Sequence, residues 1–150
     1  MFLDIKKEVN YLIESCGSTE LESLVKETGA YIINDVDLPK STLGMTVRSD
    51  GQTAILVNTS VKGPKKDFIV AHELGHNVLH HGQSATFFRR FSAGLQIPQI
   101  EAEANEFALY LLLRCSEIDT KYSFNVFDFV RSYELPDSMA RFIKYEKELK

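Results

Sequence analysis

The sequence has no tryptophan, four prolines and only two cysteines. Cys16 and Cys115 lie far apart and match no metal-ligand or redox spacing, which excludes a disulfide scaffold and suits a reducing compartment. No uninterrupted apolar run approaches the ~18 residues of a membrane span. Nor is there a Lys/Arg-rich run. The 17 basic and 21 acidic residues leave a net charge of −4, which disfavours broad electrostatic binding to nucleic acid or to an anionic membrane. Asp4, Lys6, Lys7 and Glu8 stand where a secretory signal would need its apolar stretch, so a cytoplasmic protein is expected. Repeats, low-complexity tracts and dividing linkers are absent too. The 150 residues, 44% of them hydrophobic, suffice for one domain that needs neither metal nor disulfide merely to fold. Histidine is scarce as well, yet all four (His72, His76, His80, His81) fall within residues 72–81.

The periodicity predicts helices first. Residues 2–15 carry apolar positions at helical spacing, with Gly17 as the stop. Residues 19–29 form a second helix, with Thr19 and Glu22 as a capping box and Gly29 closing it. Strands follow at 30–34, 44–48 and 52–58, the last two as a hairpin around Asp50-Gly51. Pro64 introduces a helix over 65–81. Residues 82–98 read as a loop in which Phe87, Phe88, Arg89, Arg90 and Phe91 tuck aromatics onto the core, or else grip a partner. A long helix spans 99–114, and 124–149 divides into two helices near Glu134–Asp137. Helices, a small sheet of about three strands, then helices again predict an α+β class. The chain reads as a single domain, with N-terminal helices to residue 29, a core over 30–114 and a C-terminal helical segment over 115–150.

Within the 65–81 helix, His72-Glu73-Leu74-Gly75-His76 is an HExxH motif. Positions four apart share a helix face, so His72 and His76 can close on one metal ion while Glu73, one step round, reaches a water beside it. Zinc lowers the pKa of such water toward 7, and a neighbouring carboxylate can take its proton as it attacks a carbonyl. Catalytic zinc usually has a third protein ligand. His80 lies about 12 Å along the axis from His72 in an unbroken helix, too far to share one ion. The 99–114 helix offers Glu101, Glu103 and Glu106 instead, and spacing alone leaves all three open.

HELGH, the following His80, and Glu103-Ala104-Asn105 with Phe107-Ala108 resemble the ImmA/IrrE family of zinc metallopeptidases, a gluzincin-like group. The lead-in 66–71 and the strand 54–58 resemble it as well. The likeness covers about 30–114. It implies a small zincin-like fold, zinc held by His72, His76 and Glu103, and Glu73 as general base. Manganese or iron at a two-histidine, one-carboxylate site is also compatible with the ligand types. The implied activity is that of a compact anti-repressor from a phage or integrative element, cleaving a cognate helix-turn-helix repressor. A non-catalytic zinc-containing module that sequesters a repressor is the alternative. Leu111-Leu112-Leu113-Arg114 departs from the LLMP with which the family often continues.

Other residues carry weaker expectations. His80 is a second layer of the site or an ordinary helix-end histidine. His81 is read as solvated. Asn105 is a candidate to orient a ligand histidine, and Tyr110 packs in the core or donates to an oxyanion. Cys16 and Cys115 are small core residues. The tail over 126–142 has a helix-turn-helix rhythm, but only Arg141 and Lys144 could read bases and acidic residues surround them, so direct DNA binding is disfavoured.

Overall fold

A computed structural model describes residues 4–80, 99–116 and 124–143. The expectations for His81, for the loop 82–98 with its Phe/Arg cluster, and for the chain after Ile143 fall outside these residues. The described part is α+β, as expected. α1 (Ile5–Cys16) and α2 (Leu21–Glu27) precede a sheet of β1 (Ala30–Val36), β2 (Gly44–Ser49) and β3 (Gln52–Asn58). α3 (Lys65–Leu79), α4 (Gln99–Ser116) and α5 (Val126–Ser132) follow, and a 3-10 helix spans Asp137–Phe142.

α1 starts on the Asp4 side chain, which accepts from Lys7 N–H, and stops at Gly17, whose φ of 74° suits the residue without a Cβ. The expected capping box of α2 does not form. Glu20 is the N-cap and uses no side-chain bond to the helix backbone. Instead Ser18 Oγ accepts from Glu20 N–H at 3.0 Å, and Ser23 Oγ donates to Glu20 Oε1 at 3.1 Å. These local partners move the start past Thr19. The long helix runs through the Leu111–Arg114 stretch to Ser116. Among the described residues the tail gives α5 and then a six-residue 3-10 turn, where the first part of a second helix was expected. Arg131 fixes that turn by donating to both carboxylate oxygens of Asp137, at 2.8 and 2.7 Å.

The sheet order is β1-β3-β2, with β1 parallel and β2 antiparallel to β3. Asp50 and Gly51, both at positive φ (52° and 78°), turn the β2–β3 hairpin, as the Asp-Gly pair predicts. β2 is an edge strand lying along α3 in a two-against-four register. Gly44 sits against Ile69 and Glu73. Thr46 bonds Glu73 and Arg48 bonds Asn77. Every second residue of the strand thus meets every fourth residue of the helix. Gly44 is required there, because a Cβ would lie 2.5 Å from Ile69 Cγ2 and 3.2 Å from Leu56 O. Buried Asn58 holds the loop entering β2 by donating to the carbonyls of Leu38, Pro39 and Thr42.

The main core lies between the sheet, α1 and the α3–α4 pair, with Val9, Leu24, Ile55, Leu74, Phe107, Leu109 and Leu111 all fully buried. α3 and α4 pack closely because Ala104, Ala108 and Gly75 line their contact. A Cβ on Gly75 would meet Phe107 at 3.0–3.2 Å. Cys16 and Cys115 are half-buried against this core and are not disulfide-bonded.

Candidate metal centre

Three neighbouring stripes of α3 do different work. Ile69, Glu73 and Asn77 face the sheet, Gly75 faces Phe107, and Phe68, His72, His76 and His80 form a stack of rings. Successive centroids in that stack lie 5.8, 4.7 and 5.2 Å apart. The Nε2 atoms of His72 and His76 face each other at 3.2 Å. Opposite them stands Glu101 of α4, with Oε1 at 3.0 Å from His72 Nε2 and Oε2 at 3.3 Å from His76 Nε2. All three side chains are buried, and one donor atom from each lies within 4.8 Å of the others.

This donor set fits a metal ion. Zinc–nitrogen and zinc–oxygen bonds of about 2.0–2.1 Å in a tetrahedron put neighbouring donors about 3.3 Å apart, close to the 3.0–3.3 Å seen here. One buried polar atom of the triangle, Glu101 Oε2, has no hydrogen-bond partner among the described residues. Such orphans are uncommon in a folded interior. The protonation states also suit ligation. Burial would raise the Glu101 carboxyl, but the imidazoles of His72 and His76 outweigh it and hold the group well below the usual carboxylate range. Burial pushes the His76 imidazole below its usual range against the pull of Glu101. A carboxylate facing uncharged imidazole is what a divalent ion needs.

The position of Glu101 corrects the assignment of Glu103 as third ligand. Residues two apart on a helix point about 200° apart, so the two carboxylates cannot share a face. Glu101 falls in register with Ala104, Asn105 and Ala108, on the side of α4 that packs against α3. Glu103 turns to His80, its Oε1 2.7 Å from His80 Nε2, while its Oε2 accepts from Gln99 at 2.9 Å. The phase of the buried stripe 101-104-108 was the available signal for Glu101. His80 is a second layer behind His76, with Nδ1 3.1 Å from His76 Nδ1. It can turn back because α3 ends at this residue, whose φ and ψ are −128° and 60°. Tyr110 is nine residues from Glu101, about 180° round the helix. It packs under Lys6 of α1, 5.6 Å from the ring, so it is not positioned for an oxyanion. Asn105 lines the cleft beside His72 and Glu101.

Glu73 is fully buried and its Oε1 accepts from Thr46 Oγ at 3.0 Å. Thr46 escaped sequence reasoning because its role depends on the pairing of β2 with α3. In front of His72 and Glu101 a cavity of about 320 Å³ opens, walled by Leu43, Phe68, Ile69, Leu135 and Met139. An apolar side chain would fit this wall.

A mixed sheet carrying a paired-histidine helix, a buried carboxylate beside it and a ligand carboxylate on the next helix is the arrangement of a metallopeptidase. Residues 26–123 match the IrrE N-terminal-like domain, a peptidase family, and the chain belongs to that family. No curated protein and no solved structure matches it. No helix among the described residues is long and apolar enough to cross a membrane.

Proposed function

We propose that the protein is a zinc-dependent endopeptidase of the cytoplasm that cleaves a cognate helix-turn-helix repressor and so releases the genes of a phage or integrative element. The observation that carries the catalytic part is the buried His72–His76–Glu101 triangle with Glu73 one helical step away. The repressor as substrate rests on the family resemblance alone.

His72, His76 and Glu101 would hold the metal, and zinc bound there would supply Lewis acidity for water and for the scissile carbonyl. Glu73 takes a proton from the attacking water at a carboxylate oxygen and passes it to the departing amide nitrogen. Water adds to the carbonyl carbon, the C–N bond breaks, and an acid and an amine leave. Thr46 holds Glu73 through Oε1, so the base is fixed before substrate arrives. The apolar cavity beside His72 takes a substrate side chain and excludes water from one flank of the site.

Glu73→Gln should abolish cleavage of a co-expressed repressor while one zinc per chain is retained. Unchanged cleavage would overturn the mechanism. A repressor that is bound by the wild-type protein and never cut would make it a sequestering module instead.

A further inference from the structure

Behind the ligand triangle lies a second row of polar groups that metal binding does not itself use: Gln99, Glu103 and His80, ending on the far nitrogen of His76. His80 Nε2 is 2.7 Å from Glu103 Oε1 and His80 Nδ1 is 3.1 Å from His76 Nδ1. The inner part of the row is enclosed, with the His80 side chain 5% and the Glu103 side chain 16% exposed, while Gln99 at its outer end is exposed.

Hydrogen-bond bookkeeping gives this row a direction. A carboxylate only accepts, so His80 Nε2 carries the hydrogen in its bond to Glu103. In a neutral His80 the Nδ1 atom is then a bare lone pair, and the bond to His76 Nδ1 needs its hydrogen on His76. That leaves His76 Nε2 without a hydrogen, facing His72 and Glu101. The other side of the site agrees. His72 Nε2 donates to Glu101 Oε1 at 3.0 Å and faces His76 Nε2 at 3.2 Å, a contact in which His76 must accept. Glu101 Oε2, the atom 3.3 Å from His76 Nε2, accepts no hydrogen bond. His72 Nδ1 has no partner among the described residues. The two ligand histidines therefore differ. Among the described residues, His76 is held from behind and His72 is not.

We propose that Glu103 and His80 are positioning residues that fix His76 in the tautomer with hydrogen on Nδ1, so that its Nε2 lone pair is already turned to the metal position before an ion arrives. This rests on the metal-site reading above. The carboxylate acts at one remove, through a second imidazole, and Gln99 holds its outer oxygen in place.

The test uses the full chain. Long-range nitrogen–proton spectra of the metal-free protein should show His76 with hydrogen on Nδ1 and His72 with hydrogen on Nε2. In Glu103→Ala the His76 signal should shift toward the other tautomer. Zinc affinity, measured by competition with a chromophoric chelator, should fall about 10- to 100-fold in Glu103→Ala and in His80→Phe. Glu103→Gln keeps a carbonyl oxygen that can accept from His80, and should retain most of the affinity and the wild-type tautomer. A charge effect or a packing effect would not predict that rescue. The proposal is overturned if His76 carries its hydrogen on Nε2 in the wild type. It is equally overturned if Glu103→Ala binds zinc as tightly as the wild type, or if Glu103→Gln is as weak as Glu103→Ala. A wild-type protein with these tautomers that takes up no zinc would instead refute the metal-site reading and leave the hydrogen-bonded row standing.

Discussion

Replacing Glu101 by alanine should abolish the thermal stabilisation that zinc gives the protein, whereas Glu103→Ala should only shift the zinc concentration at which it appears. A ligand that binds the folded state alone stabilises it by about 2.7 kcal/mol at one hundred times its Kd. For a domain of this size each kcal/mol is worth about 2–4 °C, so wild-type protein should melt about 5–11 °C higher in saturating zinc. Glu101→Ala removes the oxygens that lie 3.0 and 3.3 Å from the two ring nitrogens and leaves only a pair of imidazoles 3.2 Å apart. It also removes a carboxylate that is only 4% exposed, so the metal-free variant need not be less stable. The readout is therefore the zinc-dependent increment, not the melting temperature itself. Calorimetry of chelator-stripped protein, titrated with zinc, measures it. A wild-type increment in Glu101→Ala would refute the ligand assignment. Loss of the increment in Glu103→Ala at every zinc concentration would return the third-ligand role to Glu103.

Four further outcomes follow from the geometry. Thr46→Val deletes a hydrogen bond to a buried carboxylate, a class worth about 1.5–3 kcal/mol, so kcat should fall by up to about 10- to 150-fold with zinc content unchanged; a wild-type kcat would show that Thr46 does not orient Glu73. Gly44→Ala forces a carbon to 2.5 Å from Ile69 Cγ2 and should cost about 1–3 kcal/mol in urea unfolding, with no loss meaning that β2 and α3 can part freely. The metal-free protein should lose stability on acidification. The lowered His76 imidazole contributes stability that is complete above its unfolded value of about 6.5, and the lowered Glu101 carboxyl contributes stability complete above about 4.3, each lost as pH falls toward the folded value. Stability that rose as pH fell from 7.5 to 5 would contradict the His76 direction, and stability that rose as pH fell below 4 would contradict the Glu101 direction. Burial pushes the Cys115 thiol up to about 11, so alkylation in native protein at pH 8 should be slow and should accelerate on unfolding, and rapid native labelling would refute that burial.

The sheet and the principal helices were legible because their signals are local. Asp50-Gly51 fixes a hairpin, Gly17 ends a helix, and the spacing of Phe68, Ile69, Ala71, Leu74 and Gly75 sets the buried faces of α3. The histidine pair was legible for the same reason, since one helical turn separates its members. Glu101 was harder. Three glutamates in one short stretch differ only in angular phase, and the phase is set by which face of α4 meets Gly75. Thr46 and the contact of His80 with Glu103 depend on elements distant in sequence, so no spacing rule reaches them. The Thr19–Glu22 pair had the right letters for a cap, but Ser18 and Ser23 took up Glu20 and moved the start.

The close seat of Phe107 on Gly75 has a consequence for how such a protein can change over generations. The alignment of the two ligand-bearing helices is set by that contact and by Ala104 and Ala108, all within the helices themselves. Closing a connecting loop of doubled length costs only about 0.6 kcal/mol more. Loop closure is therefore a weak constraint on the triangle, whereas a side chain at position 75, whose Cβ would lie 3.0–3.2 Å from Phe107, would push the two ligand-bearing helices apart.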